Sequence, residues 1–168
     1  MNPMREIRIE KVTLSIGVGE GGDKLLKAEK VLEEIAGRKP IRTIAKKTIR
    51  DFGIRQGEPV GCKVTLRGEA AEATLKRLLG AVEKRLNKTT FDNHGNFSFG
   101  IKEHIDILGV KYDPEIGVFG MDVSVALCRP GYRIKYRRQE KRMIPRAHRV
   151  TKDESINFVS GKLGIQVI

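Results

Sequence analysis

Two stretches of this chain alternate so regularly that a half-covered β-sheet is the natural way to fold them. In residues 11–18, Val12, Leu14, Ile16 and Val18 are apolar, while Lys11, Thr13, Ser15 and Gly17 between them are cationic, hydroxyl-bearing or bare. Residues 60–67 repeat the arrangement, with Cys62, Val64 and Leu66 set against Lys63, Thr65 and Arg67. Successive side chains of a strand point to opposite faces, so each stretch presents one apolar face and one face of short polar and cationic groups. A face of Thr, Ser and Gly is too small to grip a covering helix, yet it lets a sugar–phosphate backbone approach closely. Ile7 and Ile9 alternate in the other phase, which predicts a bulge near Glu10–Lys11 within a strand spanning 5–18.

The remaining elements arrange themselves around these two strands. Gly19–Gly22 breaks the first, and Asp23 is placed to cap a helix running to Ala36 with Leu25, Ala28, Leu32 and Ile35 on one face. Gly37 ends that helix and Pro40 prevents its resumption. A strand over 41–45 leads into a long basic loop, 46–59, in which Phe52 and Ile54 offer some apolar anchoring. Leu75, Leu78, Leu79, Val82 and Leu86 recur at helical spacing and predict a helix from Gly68 to Asn87. A turn at Asn93–Asn96 precedes a strand over 96–101, an irregular segment over 103–117, and a strand over 118–127. The basic segment 129–152 reads as partly extended and mobile. Thr151 and Glu154 form a capping-box pattern that opens a short helix over 154–160, and 165–168 closes the chain as a strand. The order predicts a single α+β domain over 1–168: an antiparallel-rich mixed sheet, helices on one face, and an opposite face free to bind RNA.

Charge points to the class of partner. The 168 residues carry 33 Lys or Arg against 21 Asp or Glu, a formal charge of +12. Residues 35–67 hold nine cations and two acids, and residues 129–152 hold ten cations and one acid, so the rest of the chain is net negative. Charge gathered into two blocks indicates contact with a polyanion rather than mere solubility. No basic amphipathic helix points to a membrane surface, and no run approaches spanning length. No helix-turn-helix or zinc-finger pattern points to sequence-specific DNA binding.

Other chemistries find little support. Gly17–Gly22 satisfies G-x-G-x-x-G between a strand and a helix, the setting of a dinucleotide site, but no ribose-binding acid follows the next strand. The same amides could receive an RNA phosphate. His94, His104 and His148 are scattered and have no ligand-spaced partners, and no catalytic grouping can be assembled. Cys62 and Cys128 lie in apolar runs and read as small buried hydrophobes. Tyr132 and Tyr136 interleave with Arg133, Lys135, Arg137 and Arg138, a pattern that fits either base stacking or a solvated basic arm. A general RNA chaperone and a nucleotide-cofactor enzyme using Gly17–Gly22 are the rival readings.

Three segments carry a specific resemblance: VTLSIGVGEG, LEEIAGRKPIRTIAKKTIRDFGIRQGEPVGCKVTLRGE and FDNHGNFSFGIKEHI. In that order they resemble the large-subunit ribosomal protein family, the L-five family, that binds 5S ribosomal RNA. The ending, GYRIKYRRQEKRMIPRAHRVTKDESINFV, looks like its archaeal and eukaryotic branch. The resemblance implies a non-catalytic cytoplasmic protein, without cofactor or metal, that anchors 5S ribosomal RNA in the central protuberance. It further implies contacts with large-subunit ribosomal RNA, neighbouring large-subunit proteins, a protein of the small-subunit head and P-site transfer RNA. Carried over, the 5S-binding set is Thr13, Ser15 (where many relatives have Asn), Gly17, Arg38, Lys39, Thr43, Lys46, Lys47, Lys63, Thr65 and Arg67. Thr48, Arg50, Arg55, Gln56 and Gly57 form the loop implied to reach other ribosomal RNA and transfer RNA. Arg133, Lys135, Arg137 and Arg138 are the expected RNA contacts of the basic tail, and 103–117 lies where the family approaches the small subunit.

Overall fold

The first alternating stretch becomes β1 (Arg8–Gly17), the middle strand of a five-stranded sheet in a computed structural model that describes residues 2–168. Its neighbours are β3 (Pro59–Leu66) on one side and β6 (Met121–Cys128) on the other, both antiparallel. β2 (Ile41–Ile44) and β5 (Phe97–Ile101) form the two edges, giving the order β2-β3-β1-β6-β5. Every pairing in this sheet is antiparallel. Among the described residues, parallel pairing is confined to a separate two-stranded ribbon of β4 (Arg85–Leu86) and β7 (Gln166–Val167). The register of β1 against β6 shifts between Ile9 and Lys11, where the change of apolar phase predicts a bulge.

The apolar faces of β1, β3, β5 and β6 meet α1 (Asp23–Ala36), α2 (Glu69–Ala81) and α3 (Lys152–Leu163) in one core. Val12, Leu14, Val64, Leu66, Val123 and Val125 pack from the sheet; Leu25, Leu32, Leu75 and Leu78 pack from α1 and α2. Each such side chain contributes roughly 1.5–3 kcal/mol when fully buried. α1 starts one residue earlier than expected: Gly22, at φ 91°, is its N-cap, and Asp23 is the first helical residue, favourable there as an acid at a helix N-terminus. Gly37, in the left-handed region, ends it.

β3 lies between β1 and β2, so the unit β1-α1-β2 is split by an inserted antiparallel strand. A dinucleotide site requires the parallel neighbour that this topology lacks. The amides of Val18 and Gly19, which would face a pyrophosphate, both donate to the carbonyl of Val60. The glycine cluster is a strand-to-helix turn.

Two further expectations are corrected. The helix predicted to reach Asn87 stops at Ala81, and Glu83 and Lys84 both adopt positive φ. The backbone of 84–88 exchanges helical hydrogen bonds for bonds to the chain's end: Gln166 N to Lys84 O, Ile168 N to Leu86 O, and Lys88 N to Ile168 O. Leu86 is still buried, but from a strand. The basic segment after β6 is also not an extended arm. It turns through two short 3-10 helices, Tyr132–Lys135 and Arg146–His148, and buries Ile144 and Val150. The capping box is present, with Glu154 N donating to Thr151 Oγ1 and Thr151 N to Glu154 Oε2, and the helix it opens is longer than predicted. No helix among the described residues is long and apolar enough to cross a membrane.

Candidate nucleic-acid interface

The face of the sheet away from the helices is built from the intervening residues of the alternation. Register places Thr65 beside Thr13, Thr13 beside Ser124, and Ser124 beside Ser98, a row of four hydroxyls running across four strands. The next row holds Ile41, Lys63, Ser15, Asp122 and Gly100, and the one after it Thr43, Gly61 and Gly17. Apart from Ile41 and Lys63 these side chains are short, and each hydroxyl can both donate and accept. Gly61 has to be bare: a Cβ there would stand 2.6 Å from the carbonyl oxygen of Ile16 and 3.0 Å from Thr43 Oγ1. Thr13, Ser15, Gly17, Thr43, Lys63 and Thr65, named from the sequence, therefore share one face, and Arg67 follows directly after β3.

The cations bracket this face at its β2 edge. Arg38 and Lys39 lead into one end of β2, and Lys46 and Lys47 leave the other; all four are exposed. Arg42, from the same charge block, points to the other side and pairs with Glu29 of α1 through both carboxylate oxygens. That guanidinium holds the Glu29 carboxyl below the usual carboxylate range, so Arg42 is committed to joining β2 to α1. The sequence block thus divides by strand alternation into charge facing outward and charge already neutralised.

The loop from 46 to 59 is a closed hairpin. Gln56 N donates to Thr48 Oγ1, Ile49 pairs with Ile54, and Gly53 makes the left-handed turn after a 3-10 segment at Arg50–Phe52. Glu58 Oε2 accepts from Arg55 N. Arg50 and Arg55 are exposed. Phe52 is not the anchor expected from the sequence: it is 75% exposed at the tip, and the Ile49–Ile54 pair holds the loop instead.

The tail residues separate. Lys135 and Lys11 both line a cleft of about 800 Å³ at the end of the sheet. Arg137 donates to Glu140 O and pairs with the Glu140 carboxylate, so it closes a local turn. Arg133 and Arg138 are exposed, and neither lines that cleft. Of the two tyrosines, Tyr132 is structural: its hydroxyl donates to His148 O and accepts from Val150 N. His104 is also structural, its Nδ1 accepting from Phe119 N. Cys62 is buried and its thiol is pushed up to about 11 by that burial; the half-buried Cys128 thiol is also raised by burial.

Sequence reasoning left out Ser98, Gly100, Asp122 and Ser124, which complete the polar face. The alternation of 121–127 is visible, but only the pairing of β6 with β1 puts those residues beside Thr13 and Ser15. Asp122 is an exposed acid on this face, two strands from Lys63 with Ser15 between them, and the exposed Asp92 lines the depression beside Thr13, Ser98 and Ser124.

Comparison with known proteins gives the family. Residues 2–55 match the family described as Ribosomal protein L5, and residues 59–158 match the C-terminal segment of the same ribosomal family. The division falls in the β2–β3 loop, although β3 of the second segment sits between the strands of the first. The chain is 52% identical over 169 residues to the large ribosomal subunit protein uL5 of Sulfurisphaera tokodaii, covering 100% of this chain and 96% of that protein. It is 53% identical over 166 residues to uL5 of Methanococcoides burtonii, covering 99% and 98%, and 51% identical over 167 residues to uL5 of Methanosphaera stadtmanae, covering 99% of each. With both family segments matched and relatives above half identity along nearly their whole length, the chain belongs to the ribosomal protein L5 family, structural and non-enzymatic proteins of the large ribosomal subunit.

Proposed function

We propose that this chain, acting as one domain, binds 5S ribosomal RNA with the polar face of its sheet and helps attach that RNA in the central protuberance of the large subunit in the cytoplasm. The hydroxyl row Thr65–Thr13–Ser124–Ser98, open on the side away from the helices, is the observation that carries the reading. RNA helices display 2′-hydroxyls and phosphates on a wide, shallow groove, and a sheet surface of small hydroxyls matches that chemistry without demanding a particular base. Thr13, Ser15, Gly17, Thr43, Lys63, Thr65 and Arg67 form the contact surface. Arg38, Lys39, Lys46 and Lys47 at the two ends of β2 reach phosphates alongside it.

The hairpin from Thr48 to Gly57, with Arg50, Arg55 and Gln56, extends the basic surface toward large-subunit ribosomal RNA and P-site transfer RNA. Residues 103–117 face a protein of the small-subunit head, and other large-subunit proteins lie alongside.

Binding to transcribed 5S ribosomal RNA across a salt series tests this reading. A contact that neutralises six or more phosphates loses about a thousandfold or more in affinity between 50 and 200 mM salt. Unrelated RNA of similar length should compete poorly. Salt-independent binding, or equal competition by every RNA as a general RNA chaperone would show, contradicts the proposal.

A further inference from the structure

The cleft of about 800 Å³ at the end of the sheet is not part of the sheet-face contact, and its walls come from four places in the chain. Glu10 and Lys11 of β1 and Ala126 and Leu127 of β6 make its floor, the turn containing His94 and Asn96 makes one side, and the folded-back basic segment makes the other. Two large apolar side chains face solvent there: Tyr136, 58% exposed, and Met143, 83% exposed. Lys11, Lys135, Lys141, Arg142 and Arg149 bring positive charge, against the single carboxylate of Glu10. An exposed aromatic ring in a concave site whose lining also carries several cations is an arrangement that can receive an unstacked base and its phosphate.

Continuity with the sheet favours RNA over other anions. A second, shallower depression, lined by Thr13, Ser98 and Ser124, shares Lys11, Asn96 and Ala126 with the cleft. A strand lying along the hydroxyl row therefore runs into the cleft without leaving the surface. The two tyrosines of the segment differ in availability. Tyr132 spends its hydroxyl on His148 and Val150, whereas the Tyr136 ring reaches out beside Glu10, with the Lys135 ammonium 5.6 Å from its centre.

We propose that this cleft takes one unstacked nucleotide of a bound RNA strand, its base against Tyr136 and Met143 and its phosphates among Lys11, Lys141 and Arg142. The inference rests on the RNA-binding reading above and adds a nucleotide pocket to it. Glu10, beside Tyr136, supplies an acceptor for an exocyclic amino group, which favours a base carrying one on its pairing edge.

The chain contains no tryptophan, so Tyr136→Trp installs a lone reporter at an exposed position. Titration with transcribed 5S ribosomal RNA should quench the new indole over the concentration range in which the unsubstituted chain binds. Tyr136→Ala should weaken 5S binding about tenfold or more, as loss of one base–aromatic stack does, with no change in the slope of affinity against salt. Tyr136→Phe should bind as the parent does. Lys141→Ala with Arg142→Ala should instead lower that slope. Unchanged affinity of Tyr136→Ala, or an indole emission unaltered at saturating RNA, overturns the pocket while leaving the sheet-face reading standing. Quenching by an acidic peptide but not by RNA also overturns it. Failure of the unsubstituted chain to bind 5S RNA removes both.

Discussion

Arg129, only 6% exposed, donates from Nη2 to Oε1 of Glu154 across 2.7 Å, joining the end of β6 to the first turn of α3. Its Nη1 also donates to the carbonyl of Arg149, at the far end of the folded-back segment. Glu154 meanwhile completes the capping box with Thr151. One guanidinium thus fixes both ends of the loop that walls the cleft.

Arg129→Ala should leave that loop without its clasp and destabilise the protein by about 1–3 kcal/mol in urea unfolding, less than for a fully buried pair because Glu154 is partly in water. Arg129→Lys should recover only part of the loss, since Lys cannot bridge a carbonyl and a carboxylate as the planar guanidinium does.

The same pair sets a dependence on pH. Burial alone would raise the Glu154 carboxyl, but hydrogen bonds from Thr151 and Arg129 outweigh it and the net shift is downward. A carboxyl lowered by folding contributes stability above its unfolded pKa of about 4.3 and loses it as the pH falls through the folded value. Stability measured from pH 6 downward should therefore decline less steeply in Glu154→Gln than in the parent chain. Parallel curves would show that the pair carries no linkage.

Gly61 and Gly17 face each other in the register of β1 and β3, yet they should respond oppositely to alanine. A methyl at Gly61 meets the Ile16 carbonyl oxygen at 2.6 Å, while one at Gly17 meets nothing within 4 Å. Gly61→Ala should lose about 1–3 kcal/mol by forcing the strands apart, and Gly17→Ala should stay within about 0.5 kcal/mol of the parent. Thermal unfolding of the two variants measures the difference.

Thiol chemistry should report burial site by site. Cys62 is completely buried and its thiol is pushed up to about 11, so native protein at pH 8 should be alkylated first at Cys128, which is half-buried. Peptide mapping after a short pulse of alkylating reagent resolves the two. Earlier labelling of Cys62 would mean that β3 opens readily next to β2.

Local pattern alone makes part of this architecture legible. The alternation around Thr13 and Thr65, the bulge at Ile9–Lys11, the end of α1 at Gly37 and the Thr151–Glu154 box all depend on neighbours in sequence. The end of α2 does not, because Leu86 keeps helical spacing while its backbone partners come from residues 166–168. Alternation alone turns Lys63 outward, but Arg42 looks like the same kind of charge until the packing of β2 against α1 shows it bound to Glu29. Ser98 and Ser124 join the candidate face only when β5 and β6 take their places beside β1. The tail reads as an arm because its buried anchors, Ile144 and Val150, are isolated among cations and meet their partners only through the fold.

A double variant decides whether 5S ribosomal RNA lies on the sheet's polar face and the cations bracketing it. Thr65→Ala with Lys46→Ala removes one hydroxyl from the row and one cation from the end of β2, and neither side chain belongs to the core. Affinity for 5S RNA at fixed salt should fall at least tenfold while the thermal midpoint stays within a degree or two of the parent. Parental affinity in a folded double variant would place the RNA elsewhere on the molecule and contradict the account.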